Sequence, residues 1–286
     1  MKIGFVFPGQ GAQSVGMGKD LYENYEEVQE VYKRASEILN IDIAKLTFES
    51  TEEELSATKN TQITILIMCL GILDILKKEK IEAEISAGLS LGEYTALIYS
   101  DVISFEQGVQ IVKKRGELMQ QEVPNGDWCM AAVLGLEDEK IENICKCVSK
   151  GFVVPANYNC TGQVVVSGEK CGIEEVMNLA KEAGAKRVVE LKTSGPFHTE
   201  KLKGASDKLS QELEKIEINN SNKVVVKNLD GTPYNENDDV RNILAQHVVS
   251  PVKFTQTICY MLDAGVDTFV EIGPRKNFEF IYKENK

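Results

Sequence analysis

The chain has 286 residues, 43% hydrophobic and 27% charged, with a formal net charge of −12. That length holds one large α/β domain or a core with a smaller insert, and the composition is ordinary for a globular chain. The acidic balance argues against nucleic acid as a general partner, and it repels an acidic partner unless a local basic patch offsets it.

Met1 leads directly into Ile3-Gly4-Phe5-Val6-Phe7, a strand pattern without the layout of a signal peptide. The longest apolar stretch, Ile63 to Leu76, is interrupted by Thr64, Gly71 and Asp74 and falls short of a bilayer. A cytoplasmic protein with no membrane partner is therefore expected. The seven cysteines (69, 129, 145, 147, 160, 171 and 259) are scattered and odd in number, which reads as reduced thiols. Cys145-Lys146-Cys147 fits no standard zinc spacing, and only His198 and His247 offer imidazole, so no metal site is expected.

In chain order, Met1 to Phe7 reads as a buried strand, Pro8 to Gln13 as a loop and Met17 to Leu39 as a helix. Gly9-x-Gly11 in that loop lacks the third glycine of a dinucleotide fingerprint and the Gly-Lys-Ser/Thr of a P-loop. It suits a backbone held close to a reacting carbonyl, or an ordinary tight turn. Gln62 to Lys77 reads as a buried helix and Lys80 to Ser86 as a short strand. Gly88-Leu89-Ser90-Leu91-Gly92 follows, then a helix over Glu93 to Tyr99. Gly-x-Ser-x-Gly between strand and helix has the form of a nucleophile elbow, whose glycines admit a turn too tight for side chains and whose helix start offers N–H groups to an oxyanion. An ordinary βα turn is the plain alternative.

Phe105 to Gln121 is an amphipathic helix carrying Lys113-Lys114-Arg115; the lysines suit a solvated face, and a surface arginine is the plain reading of Arg115. The pattern then changes. Strands over 129–134, 152–157, 163–167 and 187–191 and helices over 138–148 and 172–183 give the order βαββαβ, that of a ferredoxin-like unit. The fold class expected is thus α/β, with a catalytic part over 1–126 and 193–286 and a ferredoxin-like insert over 127–192, the two sharing an interface. Thr193 to His198 reads as a turn, 201–216 as a helix, 223–227 as a strand, 240–248 as a helix and 268–272 as the last strand.

A serine hydroxyl needs a base to become a nucleophile, and histidine suits that role at neutral pH. His198, in a Gly-Pro-Phe-His turn before a helix, is the stronger candidate. His247 sits at a predicted helix end, where a dipole partner explains it equally well. No aspartate stands out as a third member.

Taken together, Phe7 to Gln13, Gly88 to Tyr94, Lys114-Arg115-Gly116, Asn157 to Val165, Gly195-Pro196-Phe197-His198, Ser250-Pro251-Val252 and Glu271 to Pro274 occur in the order of one family. The chain resembles malonyl-CoA:acyl carrier protein transacylases and the related acyltransferase domains of polyketide synthases, almost from end to end. That resemblance implies an α/β-hydrolase-like catalytic part, which agrees with the predicted insert. It implies Ser90 as nucleophile, His198 as base and acid, and the N–H groups of Gln10 and Leu91 as the oxyanion hole. It further implies Arg115 as a two-pronged anchor for the malonyl carboxylate, reversing its plain reading, and Gln62 and Phe197 as lining of the substrate site. Malonyl-CoA and acyl carrier protein would be the partners of a monomeric enzyme without cofactor.

Three positions depart from the family. Leu89 replaces a histidine; His247 stands where a glutamine commonly orients the catalytic histidine through its carbonyl, with Gln246 the alternative by a one-residue slip; and Arg275 replaces a glycine. The expected pathway is fatty acid biosynthesis, with a polyketide pathway as the near alternative. A serine thioesterase or hydrolase, and a non-catalytic carrier-docking module, remain as the other classes.

Overall fold

Ile3–Phe7 forms β1, four of its five residues buried, in a computed structural model that describes residues 1–274 apart from Lys192, Ser194 and Asn222. Ser194 of the predicted turn and Arg275 lie outside the described residues. After β1 come α1 (Lys19–Asn24) and α2 (Glu26–Leu39), which replace the single predicted helix over 17–39. Gly16 and Gly18 sit at φ 81° and 70°, delaying the helix start, and Tyr25 is extended. In one straight helix Tyr22 and Tyr32 would stand about 15 Å apart along the axis; the break folds them together at a ring separation of 5.3 Å, with Phe48 against both.

Two short helices that the periodicity did not reveal, α3 (Ile43–Phe48) and α4 (Glu52–Ser56), are capped by the side chains of Asp42 and Thr51. α5 (Thr58–Lys78) is long and apolar enough to cross a membrane, but 67% of its apolar window is buried inside the protein. It runs between α2 and the later α7. β2 (Ile85–Gly88) starts later than predicted and feeds α6 (Leu91–Tyr99), of which Leu91 through Ile98 are buried. α7 (Phe105–Gln121) agrees with its predicted span.

β3 (Trp128–Leu134), α8 (Asp138–Cys147), β4 (Val153–Cys160), β5 (Gln163–Glu169), α9 (Lys170–Glu182) and β6 (Arg187–Leu191) give the predicted βαββαβ succession. A single 3₁₀ turn, Glu200–Leu202, then opens α10 (Lys203–Leu213). The chain closes through β7 (Val224–Val226), α11 (Val240–His247), β8 (Val252–Lys253), α12 (Phe254–Asp263) and β9 (Thr268–Glu271); β8 and α12 were not foreseen.

The strands make two sheets. One is parallel, in the order β7-β2-β1-β9, with Phe7 opposite Gly88 and Val226 opposite Ala87. The loops after β1, β2 and β7 therefore leave the same edge side by side, where clefts form in open parallel sheets. The other has the order β6-β3-β5-β4-β8, antiparallel except for the β4–β8 pair. Its two faces follow the strand period of two. Cys129, Ala131 and Val133 of β3 pack with Ile141, Ile173 and Val176, whereas Met130 and Ala132 join the large core. The second sheet thus has its own helical cover and turns its other face toward the first part of the protein.

Gly92 holds α6 against β1. A Cβ there would lie 2.2 Å from the Phe7 carbonyl oxygen, a backbone atom that cannot swing aside. Gly92→Ala is expected to cost about 3 kcal/mol of stability, seen as a lower urea midpoint at an unchanged slope.

Candidate active site

The turn from β2 to α6 is closed by backbone contact alone. A Cβ on Gly88 would fall 2.0 Å from the Gly92 carbonyl carbon, so neither position tolerates a side chain. Between them Ser90 takes φ 54° and ψ −98°, a conformation that costs a non-glycine residue on the order of 1–3 kcal/mol. Asn228 offsets that strain: its Oδ1 accepts from the Ser90 N–H at 2.6 Å, and its Nδ2 donates to the Gly88 carbonyl at 2.7 Å. Asn228 lies just beyond β7, and the β7–β2 register carries it to the turn. No local pattern marks it, because a polar residue after a strand reads as loop.

Ser90 Oγ lies 2.8 Å from His198 Nε2. The other ring nitrogen, Nδ1, faces the carbonyl oxygens of His247 at 2.9 Å and Ser250 at 3.1 Å. Two acceptors at Nδ1 fix the proton there and leave the Nε2 lone pair aimed at the serine. Backbone carbonyls thus occupy the place at Nδ1 that an aspartate carboxylate could take. Of the two proposed orienting residues, the carbonyl belongs to His247; that of Gln246 accepts from Val249 N–H at 3.0 Å. His198 is 4% exposed, and burial, with help from His247 and Arg115, holds its imidazole well below the usual histidine value despite the carbonyls.

Arg115 is buried, not a surface residue as its helix pattern suggested. Gly116 permits this: a Cβ there would meet Lys59 Cα at 2.9 Å, so its absence lets α7 lie close on the start of α5. Arg115 Nη1 then donates to Gln62 Oε1 at 2.8 Å, and Nη2 donates to Ser90 Oγ at 3.0 Å. The guanidinium also lies over the Tyr94 ring, 5.3 Å from its centroid.

A cavity of about 900 Å³ opens over these groups, lined by Gln10, Gln62, Ser90, Leu91, Arg115, Phe197 and His198 among others. Met130 and Val165 of the second sheet form part of its wall. Among the described residues, the N–H groups of Gln10 and Leu91 have no protein acceptor. Gln10 is placed by the β1–β2 register, and Gly9 lets its loop cross the Leu89 carbonyl, which a Cβ would approach to 2.6 Å. Of the predicted site residues, only Gln246 and the His247 ring lie off the cavity. Glu93, which is buried, and Tyr234, which is half-buried, were left out of the site by sequence reasoning and lie behind it, Tyr234 O–H donating to Glu93 Oε1 at 2.7 Å. Among the described residues, no group of three or more His, Cys, Asp or Glu side chains converges as metal ligands do.

Residues 4–279 match the family model described as acyl transferase domain. The chain belongs to that family and is an acyltransferase. Within it, the chain is 40% identical over 285 residues to the malonyl CoA-acyl carrier protein transacylase of Bacillus subtilis strain 168, covering 99% of this chain and 90% of that protein. The crystal structure of malonyl CoA-acyl carrier protein transacylase from Clostridium perfringens ATCC 13124 superposes with a TM-score of 0.95 at 45% identity, over 100% of this chain and 90% of the other. A malonyl-transacylase in complex with its type II PKS acyl-carrier protein superposes with a TM-score of 0.95 at 36% identity, over 100% of this chain and 93% of the other.

A histidine whose proton affinity is lowered stays in its basic form as pH falls through 6.5. Modification of Ser90 by a fluorophosphonate is expected to keep its neutral-pH rate at pH 6.5 and to decline only well below it. A rate halved near pH 6.5 would show an ordinary imidazole instead.

Proposed function

We propose that the protein transfers the malonyl group of malonyl-CoA to the phosphopantetheine thiol of acyl carrier protein through a malonyl ester on Ser90. The observation that carries this reading is the position of Ser90 Oγ, between His198 Nε2 at 2.8 Å and Arg115 Nη2 at 3.0 Å, at the floor of the cavity. A base on one side of a nucleophile and a fixed cation on the other suit an acyl group that ends in a carboxylate.

In the first half-reaction His198 Nε2 takes the Ser90 proton as Oγ attacks the thioester carbonyl. The carbonyl oxygen becomes an oxyanion held by the Gln10 and Leu91 N–H groups. Collapse breaks the carbon–sulfur bond, and the imidazolium returns the proton to the departing CoA thiolate. In the second half-reaction the pantetheine thiol gives its proton to Nε2 and attacks the serine ester, and Oγ leaves with that proton. One thioester replaces another, so no electrons change hands.

Arg115 receives the free malonyl carboxylate, with Gln62 holding Nη1 so that the guanidinium plane stays fixed. Acetyl-CoA would leave this buried cation unpaired, which penalises the wrong substrate. Phe197, buried at the cavity wall, would crowd a methyl branch on the malonyl carbon.

The architecture supports a finer division. The parallel sheet with its elbow forms an α/β-hydrolase-like part over 1–126 and 193–286, and the order β6-β3-β5-β4 is that of a ferredoxin-like insert over 127–192. β8, from the larger part, extends the smaller sheet by pairing with β4. Supply of malonyl groups to fatty acid biosynthesis is the pathway we favour. The likeness to a malonyl-transacylase bound to a type II PKS carrier is the observation that favours the second pathway.

Intact-mass measurement after incubation with malonyl-CoA is expected to reveal a malonyl adduct that moves to added phosphopantetheinylated carrier protein. Ser90→Ala should abolish the adduct; an adduct that persists would overturn the nucleophile, and one lost equally fast to buffer would indicate a hydrolase. Arg115→Ala is expected to narrow the preference for malonyl-CoA over acetyl-CoA by about 100-fold in kcat/KM, the effect of losing roughly 3 kcal/mol of charged hydrogen bonding.

A further inference from the structure

Behind the cavity lies a buried polar cluster that the acyl-transfer steps do not use. Glu93 is fully buried at the first turn of α6, and His247, at the end of α11, is 1% exposed. Glu93 Oε2 lies 3.1 Å from His247 Nδ1, a close approach without the alignment of a hydrogen bond. Glu93 Oε1 accepts from Tyr234 O–H at 2.7 Å and from the Asn228 N–H at 3.3 Å. The His247 ring lies 4.9 Å from that of His198, the planes inclined by 36°.

From Oε1 a path runs through Asn228 to the Ser90 N–H, the bond that holds the strained nucleophile. From Oε2 a second path runs through the His247 ring to its carbonyl, which accepts from His198 Nδ1. We infer that Glu93 and His247 are positioning residues, with the one buried carboxylate anchoring both the serine arm and the histidine arm so that Oγ and Nε2 keep their separation. This rests on the serine–histidine reading proposed above.

The pair has a reason to act as a unit. A buried carboxylate without a partner is costly, and so is a buried imidazole proton without an acceptor. Among the described residues, neither ring nitrogen of His247 has a hydrogen-bond partner, and Nδ1 is the one that faces a carboxylate, Glu93 Oε2 at 3.1 Å. The titratable groups against His247, among the described residues, are Glu93 on α6 and His198 on the loop before α10, with Tyr234 bonded to Glu93 and Arg115 on α7 acting on His198. A proton on His247 also opposes one on His198. Replacing His247 with glutamine therefore makes His198 easier to protonate.

The test measures Ser90 acylation by malonyl-CoA in wild type, E93Q, H247Q and the double variant across pH. E93Q is expected to lower kcat roughly tenfold to a hundredfold, the scale of a small misplacement of reacting groups, with KM for malonyl-CoA changed less than about twofold. H247Q is expected to move the acid limb of kcat to higher pH. In E93Q/H247Q two amides can pair without a stranded charge, so the double variant should recover most of the E93Q loss. Wild-type kcat and an unmoved acid limb in both single variants would overturn the inference, as would losses that simply multiply in the double variant. Should E93Q fail to fold, H247Q decides alone: a kcat lowered with little change in KM supports the anchoring, and wild-type kcat overturns it. Absence of acyl-enzyme in the wild type would instead overturn the underlying function, so the two failures are distinguishable.

Discussion

The architecture of the site depends on one close approach of backbone to backbone. Gly88 touches Gly92 across the turn, and Gly92 rests on the carbonyl of Phe7. No side chain fits in either contact, so strand, turn and helix are locked as one piece against β1. That lock forces Ser90 into positive φ, and the forced geometry lifts its hydroxyl clear of the sheet. Everything else in the site is placed relative to that hydroxyl.

Parallel register does the placing. Because β1, β2 and β7 are neighbours in one parallel sheet, three segments distant in sequence emerge together: the Gln10 loop, the elbow and Asn228. Arg115 arrives by a different route, through the small residue that lets α7 settle on α5. His198 arrives on a loop and is held by two carbonyls at the end of α11.

Much of this was legible in the sequence, for physical reasons. Gly-x-Ser-x-Gly announces a turn because only glycine survives those contacts, and the βαββαβ order follows from alternating periods of two and 3.6. Arg115 was not legible from its helix pattern, since an amphipathic helix normally turns arginine to water. Asn228, Glu93 and Tyr234 were invisible as site residues because their roles come from strand register and burial, which no local pattern encodes. The break at Tyr25 was not legible because one extended residue leaves the apolar period nearly intact, and α3 and α4, of six and five residues, are too short to show a period. Likewise β8, two residues long, is too short for any alternation to declare itself.

That shortest strand has a mechanical meaning. Ser250, whose carbonyl faces His198 Nδ1, is joined to β8 through Pro251, whose ring fixes φ and restricts the residue before it. β8 is stitched to β4 at Asn157–Val252 and Tyr158–Lys253, and Asn157 looks into the cavity. The link between wall and imidazole is therefore a stiff rod rather than a slack tether. A tilt of the smaller sheet that preserved this pairing would drag Ser250 along with it, gearing the alignment of the imidazole to the seating of whatever fills the cavity.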